Sequence, residues 1–133
     1  MASEIIGVKQ VFRRMRGGSQ AFLVEGEDDQ FYVAKFTGNP QGNRTLINEW
    51  ITHRLFQQLS ISTPSLRVLR LTESTKQIEP LCFQMGGHTV SVKGSFHLGS
   101  QCPVDPTTTT IYDFCPAGFS LKSLILRTLE VRS

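Results

Sequence analysis

Apolar residues in the first third of the chain fall into three short runs separated by turn formers. Ile6, Val8 and Phe12 mark the first run, residues 5–14. Ala21-Phe22-Leu23-Val24 is the second, and Phe31-Tyr32-Val33-Ala34-Lys35-Phe36 is the third. Short runs rich in β-branched and aromatic residues predict strands. Gly17-Gly18 and Gly26-Glu27-Asp28-Asp29 between them are turn sequences, so the three predict an antiparallel meander. The period then changes. Over residues 45–59, Ile47, Trp50, Ile51, Leu55 and Leu59 recur at steps of three and four, which predicts an amphipathic helix. Asn43 or Thr45 is the candidate cap, and Pro64 stops the pattern. Residues 66–71 and 78–85 predict further strands. Residues 99–110 hold Gly99, Pro103, Asp105, Pro106 and four threonines in a row and predict loop, and residues 111–114 form a candidate last strand. Together these segments predict an α+β fold: a small antiparallel β-sheet of about five strands with one main packed α-helix.

A chain of 133 residues is one domain, or one lobe of a larger one. Its net charge of +3 and pI near 9.0 permit an anionic ligand such as a nucleotide. Lys and Arg are scattered rather than clustered, which disfavours nucleic acid as a partner. The cysteines Cys82, Cys102 and Cys115 are odd in number and lack metal-type spacing, so they read as reduced thiols. His88, His97 and Cys102 fit no standard metal site, and structural roles are expected for them. No apolar stretch reaches the roughly 20 residues of a membrane helix, and Met1-Ala2-Ser3-Glu4 lacks a signal-peptide pattern. The expected location is the cytoplasm, with no membrane partner. No nucleophile motif or paired-carboxylate constellation is visible.

The chemistry-bearing residue that stands out is Lys35. A lysine within an aromatic strand costs free energy unless it is paired or reaches solvent. Two readings stand for it: an ammonium in water above a buried stem, or a charge held on a rigid strand to meet phosphates. Glu49 lies fourteen positions on, between Leu46 and Trp50, near the expected buried face of the helix. It is either a solvated helix former or the carboxylate that steers Lys35. Gly17, Gly18 and Ser19 either close a hairpin or offer free backbone N–H groups to phosphate oxygens. The turn is neither a P-loop, since no Gly-Lys-Ser/Thr occurs, nor the GxGxxG of ordinary protein kinases. Asn39-Pro40-Gln41-Gly42-Asn43 reads as a connector. Gly94-Ser95-Phe96-His97-Leu98-Gly99-Ser100 reads as a flexible loop, with a second small anion-binding loop as the alternative.

The order of these segments resembles the HipA-like kinase domain of bacterial proteins. The resemblance runs from about Phe12 to Val68 and rests on Gly17-Gly18-Ser19-Gln20, Val33-Ala34-Lys35-Phe36, Asn39-Pro40-Gln41-Gly42 and Asn48-Glu49. Residues 96–100 with Pro103 and Tyr112-Asp113-Phe114 look similar to the stretch leading toward a second lobe. The resemblance implies a kinase-like N-terminal lobe over residues 1–119, followed by a divergent tail over 120–133. It implies ATP as ligand, with Mg²⁺ in the intact family. Gly17, Gly18 and Ser19 would lie beside the phosphates, Lys35 would contact them and Glu49 would orient Lys35, while residues 112–116 would approach the interlobe hinge. The family's catalytic Asp and metal-binding residues belong to the second lobe. After Asp113 the only acid is Glu130, and no Asn follows. The expectation is a chain ended early that binds nucleotide weakly and does not transfer phosphate alone. Its partners would be a nucleotide and either the missing second lobe or another protein. The alternative is a non-catalytic kinase-like interaction module, whose marker is the apolar cluster Ile111, Tyr112, Phe114 and Phe119.

Overall fold

The computed structural model describes residues 5–77 and 80–113. Its first three strands are β1 (Ile5–Arg14), β2 (Phe22–Gly26) and β3 (Phe31–Lys35), followed by the helix α1 (Asn43–Gln58). Then come β4 (Leu66–Arg70), β5 (Lys76–Gln77), β6 (Cys82–Met85), β7 (His88–Ser91) and β8 (Phe96–Cys102). The first three strands form the expected antiparallel meander.

The sheet departs from an open antiparallel one. The order β2-β3-β8-β4-β1 returns to β2, because β1 pairs with both β2 and β4. The result is a closed five-strand barrel, with β5 added beside β1. Two of its pairings, β1 with β4 and β1 with β5, are parallel. β1 divides its length between partners: Ile5 to Gly7 meets β4, and Val8 to Arg14 meets β2. Register shifts between Val8 and Gln10, and between Val11 and Arg13, bend β1 around the barrel. They also bring Val8 and Val11, three residues apart, into the same core, which a strict two-residue alternation does not anticipate.

The loops expected over residues 94–100 and 99–110 are overturned in part. Phe96–Cys102 forms β8, antiparallel to β3 on one side and β4 on the other. Its glycine and serine content suits a central strand crowded by neighbours: His97, Leu98 and Gly99 are all buried. Residues 111–113 are not a strand, and Phe114 lies outside the described residues. The strand expected over 78–85 is the first arm of a separate hairpin, β6 with β7; Ile78 and Glu79 lie outside the described residues. Cys115, Phe119 and the tail over 120–133 also lie outside them.

The core fills the barrel. Phe22, Val24, Tyr32, Ala34, Phe36, Leu69, Val8 and Val11 pack together, and Phe83 from β6 joins them. Phe22 stacks on Phe36 with centroids 4.9 Å apart and meets Phe83 edge-on at 6.3 Å. A second cluster lies elsewhere: Leu46 of α1, Leu66 and Leu98, with Trp50 against them. Leu66 and Leu98 alternate with the barrel-core residues along their strands, so α1 sits on the outer surface of the barrel.

Two expectations about α1 fail. Its cap is Gly42, not Asn43 or Thr45. Asn43 instead accepts a bond from the Gly38 N–H at 2.8 Å, and the Thr45 hydroxyl donates to the Gly42 carbonyl at 2.7 Å. The apolar stripe expected to be buried is open: Ile47, Ile51, Leu55 and Leu59 are all at least half exposed. Only Leu46 of the helix is fully buried. The helix rests on one shoulder of its apolar face, and that shoulder carries Glu49 toward the sheet.

His97 has the structural role expected of it. It is buried, its Nδ1 accepts from the Thr37 N–H at 3.0 Å, and its Nε2 lies 3.1 Å from the Gly94 carbonyl. These partners define the neutral tautomer with the proton on Nε2. Burial lowers its pKa below the ordinary 6.5, against the opposing pull of the Gly94 carbonyl. The unfolded chain therefore takes up this proton more readily than the fold. Stability from this residue is complete above pH 6.5 and falls as the pH drops through the lower folded value. Urea midpoints measured between pH 8 and pH 5 are expected to decline less for His97→Gln than for the wild type. Parallel curves contradict the assignment.

Candidate functional site

Lys35 ends β3, where the alternation of the strand sets it. Tyr32 and Ala34 point into the barrel, so Val33 and Lys35 point outward. Opposite Lys35 on β8 is Leu98, which α1 covers. The ammonium thus emerges beside the helix, and its Nζ donates to Glu49 Oε2 at 2.8 Å. The two side chains keep 32% and 30% of their surface exposed. The pair is shielded enough to hold direction and open enough to meet a ligand. Both of these residues were singled out in the sequence, and the fold brings them into contact.

Glu49 is also in the wall of a cavity of about 280 Å³, with Asn48, Thr52, His53, Phe56, Thr63, Pro64, Leu66 and Ser100. Within it His53 Nδ1 and the Thr63 hydroxyl lie 2.8 Å apart. Glu49, the carboxylate of the pair, therefore borders a recess that contains polar groups from the helix and from the segment leading into β4.

Gly17, Gly18 and Ser19 lie in the β1–β2 loop, residues 15–21. The register places this loop and Lys35 at the same end of the sheet: Phe22, just after the loop, pairs with Ala34, just before Lys35. Gly17 has φ +139° and Gly18 is exposed. A Cβ on Gly18 would lie 2.5 Å from the amide nitrogen of Gln41. The turn thus meets the segment that starts α1 through the end of the Gln41 side chain, which would have to move to admit a Cβ there.

Four features escaped the sequence reading. Asn39 is buried and folds the connector: its amide donates to the Phe36 carbonyl at 2.9 Å and its Oδ1 accepts from the Gln41 N–H at 2.9 Å. Its signal was present, since Asn before Pro favours a side-chain-closed turn. The second is Gln20, in left-handed backbone at φ 47°, whose side chain bonds β6 as a strand would. Its Nε2 donates to the Gln84 carbonyl at 2.7 Å, and its Oε1 accepts from the Gln84 N–H at 2.8 Å. The third and fourth are Arg13 and Asp113. Arg13 pairs with Asp113 at 2.8 Å and donates to the Ile111 carbonyl at 3.0 Å. The Arg16 N–H donates to the other Asp113 oxygen at 2.8 Å. Burial alone would raise the Asp113 pKa, but the Arg16 N–H and the Arg13 guanidinium outweigh it and hold the carboxyl below its ordinary range. Neither contact was legible in the sequence, which separates Arg13 and Asp113 by 100 positions.

Residues 8–93 match the model of the HipA-like kinase family, more than half of the chain. The chain belongs to the HipA-like kinase family. Comparison with curated proteins returns no match, and comparison with solved structures returns none.

Proposed function

We propose that this chain forms a nucleotide-binding lobe of the HipA-like kinase type, with ATP as its ligand. The observation that carries this reading is the ion pair of Lys35 and Glu49, beside a glycine turn at the same end of the sheet. Such a pair fixes an ammonium that would otherwise move among many rotamers. The donor set suits a polyphosphate: one held cation, and a turn whose exposed Gly17 and Gly18 leave room for close approach.

On this reading Lys35 meets the phosphates, Glu49 keeps it aimed, and Gly17, Gly18 and Ser19 offer backbone donors. ATP, when bound with Mg²⁺, is the source of the phosphoryl group. This chain's residues supply binding and orientation. The base and the metal-binding side chains of transfer belong to the second lobe in such kinases, so residues 5–113 alone are expected to bind without turnover.

Calorimetric titration with Mg²⁺-ATP and with adenosine tests the reading. ATP is expected to bind more tightly, by about tenfold or more, because the proposed contacts are to phosphate. Equal affinity, or no ATP binding, overturns it.

A second reading, a non-catalytic interaction module, is favoured by the open stripe Ile47, Ile51 and Leu55, continuous with an apolar groove that Phe96 also lines. Its earlier marker is divided: Tyr112 is exposed, Ile111 is half-buried, and Phe114 and Phe119 lie outside the described residues. A chain that runs as a clean monomer and captures no partner speaks against this reading.

A further inference from the structure

We propose that Asp113 is a positioning residue for the glycine turn, acting through Arg13 and the Arg16 backbone to hold the turn where a nucleotide would meet it. The proposal rests on the nucleotide-binding reading above and deepens it.

The turn runs between two anchored ends. On its β1 side, one carboxylate makes two bonds: Asp113 Oδ1 accepts from Arg13 Nη1 and Oδ2 accepts from the Arg16 N–H, each at 2.8 Å. Arg13 belongs to β1 and is fixed by its pairing with Leu23 of β2. Arg16 stands immediately before Gly17 in the sequence. The carboxylate therefore ties the rigid strand and the first loop residue to the same point. The second guanidinium nitrogen of Arg13 donates to the Ile111 carbonyl, so the segment that carries Asp113 is itself fastened at two places.

On its β2 side, Gln20 makes the paired bonds to Gln84 already described. The loop also closes on itself, since the Met15 N–H donates to the Ala21 carbonyl at 2.7 Å. Between these fixed points lies the short tip with its two glycines, closed by a bond from the Gln20 N–H to the Gly17 carbonyl at 3.1 Å. A loop so restrained loses less entropy when it orders around a ligand than a free one does. The side chain of Asp113 is 14% exposed, so water competes poorly for its oxygens. Charged partners in such a setting make the stronger class of hydrogen bond.

The bonds are specific in a way that a general packing role is not. Removing the carboxylate frees the Arg16 N–H and leaves the Arg13 guanidinium with the Ile111 carbonyl, and it touches no residue of the barrel core. Asp113→Ala is therefore expected to accelerate hydrogen exchange at the amides of residues 15–20 by about tenfold, without nucleotide present. Exchange in β3 and β8 is expected to stay at the wild-type rate. Mg²⁺-ATP affinity is expected to fall by about three- to tenfold, and Asp113→Glu, which keeps the charge, is expected to recover part of it.

Faster exchange confined to the loop together with weaker ATP binding upholds the proposal. Unchanged loop exchange in Asp113→Ala overturns it, as does faster exchange spread over the whole barrel. Faster loop exchange with unchanged ATP affinity also overturns it. If the wild type binds no ATP, the nucleotide reading fails and the positioning role falls with it. The exchange comparison still shows whether the restraint exists, so the two failures are distinguishable.

Discussion

Phe22→Ala is expected to lower the unfolding free energy by about 3–5 kcal/mol, the cost of deleting a large buried aromatic ring. Phe22 is 1% exposed and stands where three parts of the fold meet. Its ring stacks on Phe36 just beyond β3 and touches Phe83 of the β6–β7 hairpin, while its backbone pairs with both Arg14 and Ala34. Truncation leaves a hole that neighbours on closed strands cannot collapse to fill. Small domains have about 5–15 kcal/mol of stability in total, so about a fifth of it at the least would be lost. Ile51→Ala is the matching control. Ile51 is 50% exposed on the open face of α1, and its truncation is expected to change stability by no more than about 0.5 kcal/mol. Urea denaturation of the two variants decides the matter: equal losses would contradict the placement of the core inside the barrel.

Lys35→Ala is expected to weaken Mg²⁺-ATP binding by roughly 10- to 100-fold, the value of hydrogen bonds to a charged group at about 1.5–3 kcal/mol. Its effect on folding is expected to be small. The pair with Glu49 is about one-third exposed on each side, and ion pairs of that kind contribute about 0–1 kcal/mol. A large loss of affinity beside a small loss of stability is the pattern that separates a ligand contact from a structural one. Lys35→Arg is expected to restore charge without restoring affinity, because a planar fork does not reproduce a compact ammonium at the same reach. Calorimetry on the three proteins, with thermal melts beside it, reads both quantities.

What could be read from the chain depended on how local the determining contacts were. The meander was legible because Ile5–Arg14, Phe22–Gly26 and Phe31–Lys35 carry their own turns and their own aromatic content. The contact between Lys35 and Glu49 was legible because each residue lies on an element with a clear period, and one connector joins the two. β8 was not legible. Phe96-His97-Leu98-Gly99-Ser100 has a weak propensity for strand, and it is one because β3 and β4 flank it on both sides. Barrel closure was hidden for a related reason: it turns on β1 changing partner along its length, which irregular register makes possible and which no pattern of apolar residues announces. The helix was found, but its stripe was assigned to the core, since periodicity reports an apolar face and not what covers it. Arg13 and Asp113 meet only because the closed barrel brings the end of β1 against the segment that follows β8.

The most direct test is a double-mutant cycle on Mg²⁺-ATP affinity with Lys35→Ala, Glu49→Ala and the two together. If the carboxylate acts by aiming the ammonium, Glu49→Ala alone weakens binding several-fold, and adding it to Lys35→Ala costs nothing more. Full additivity of the two losses, or wild-type affinity in Glu49→Ala, would contradict the account.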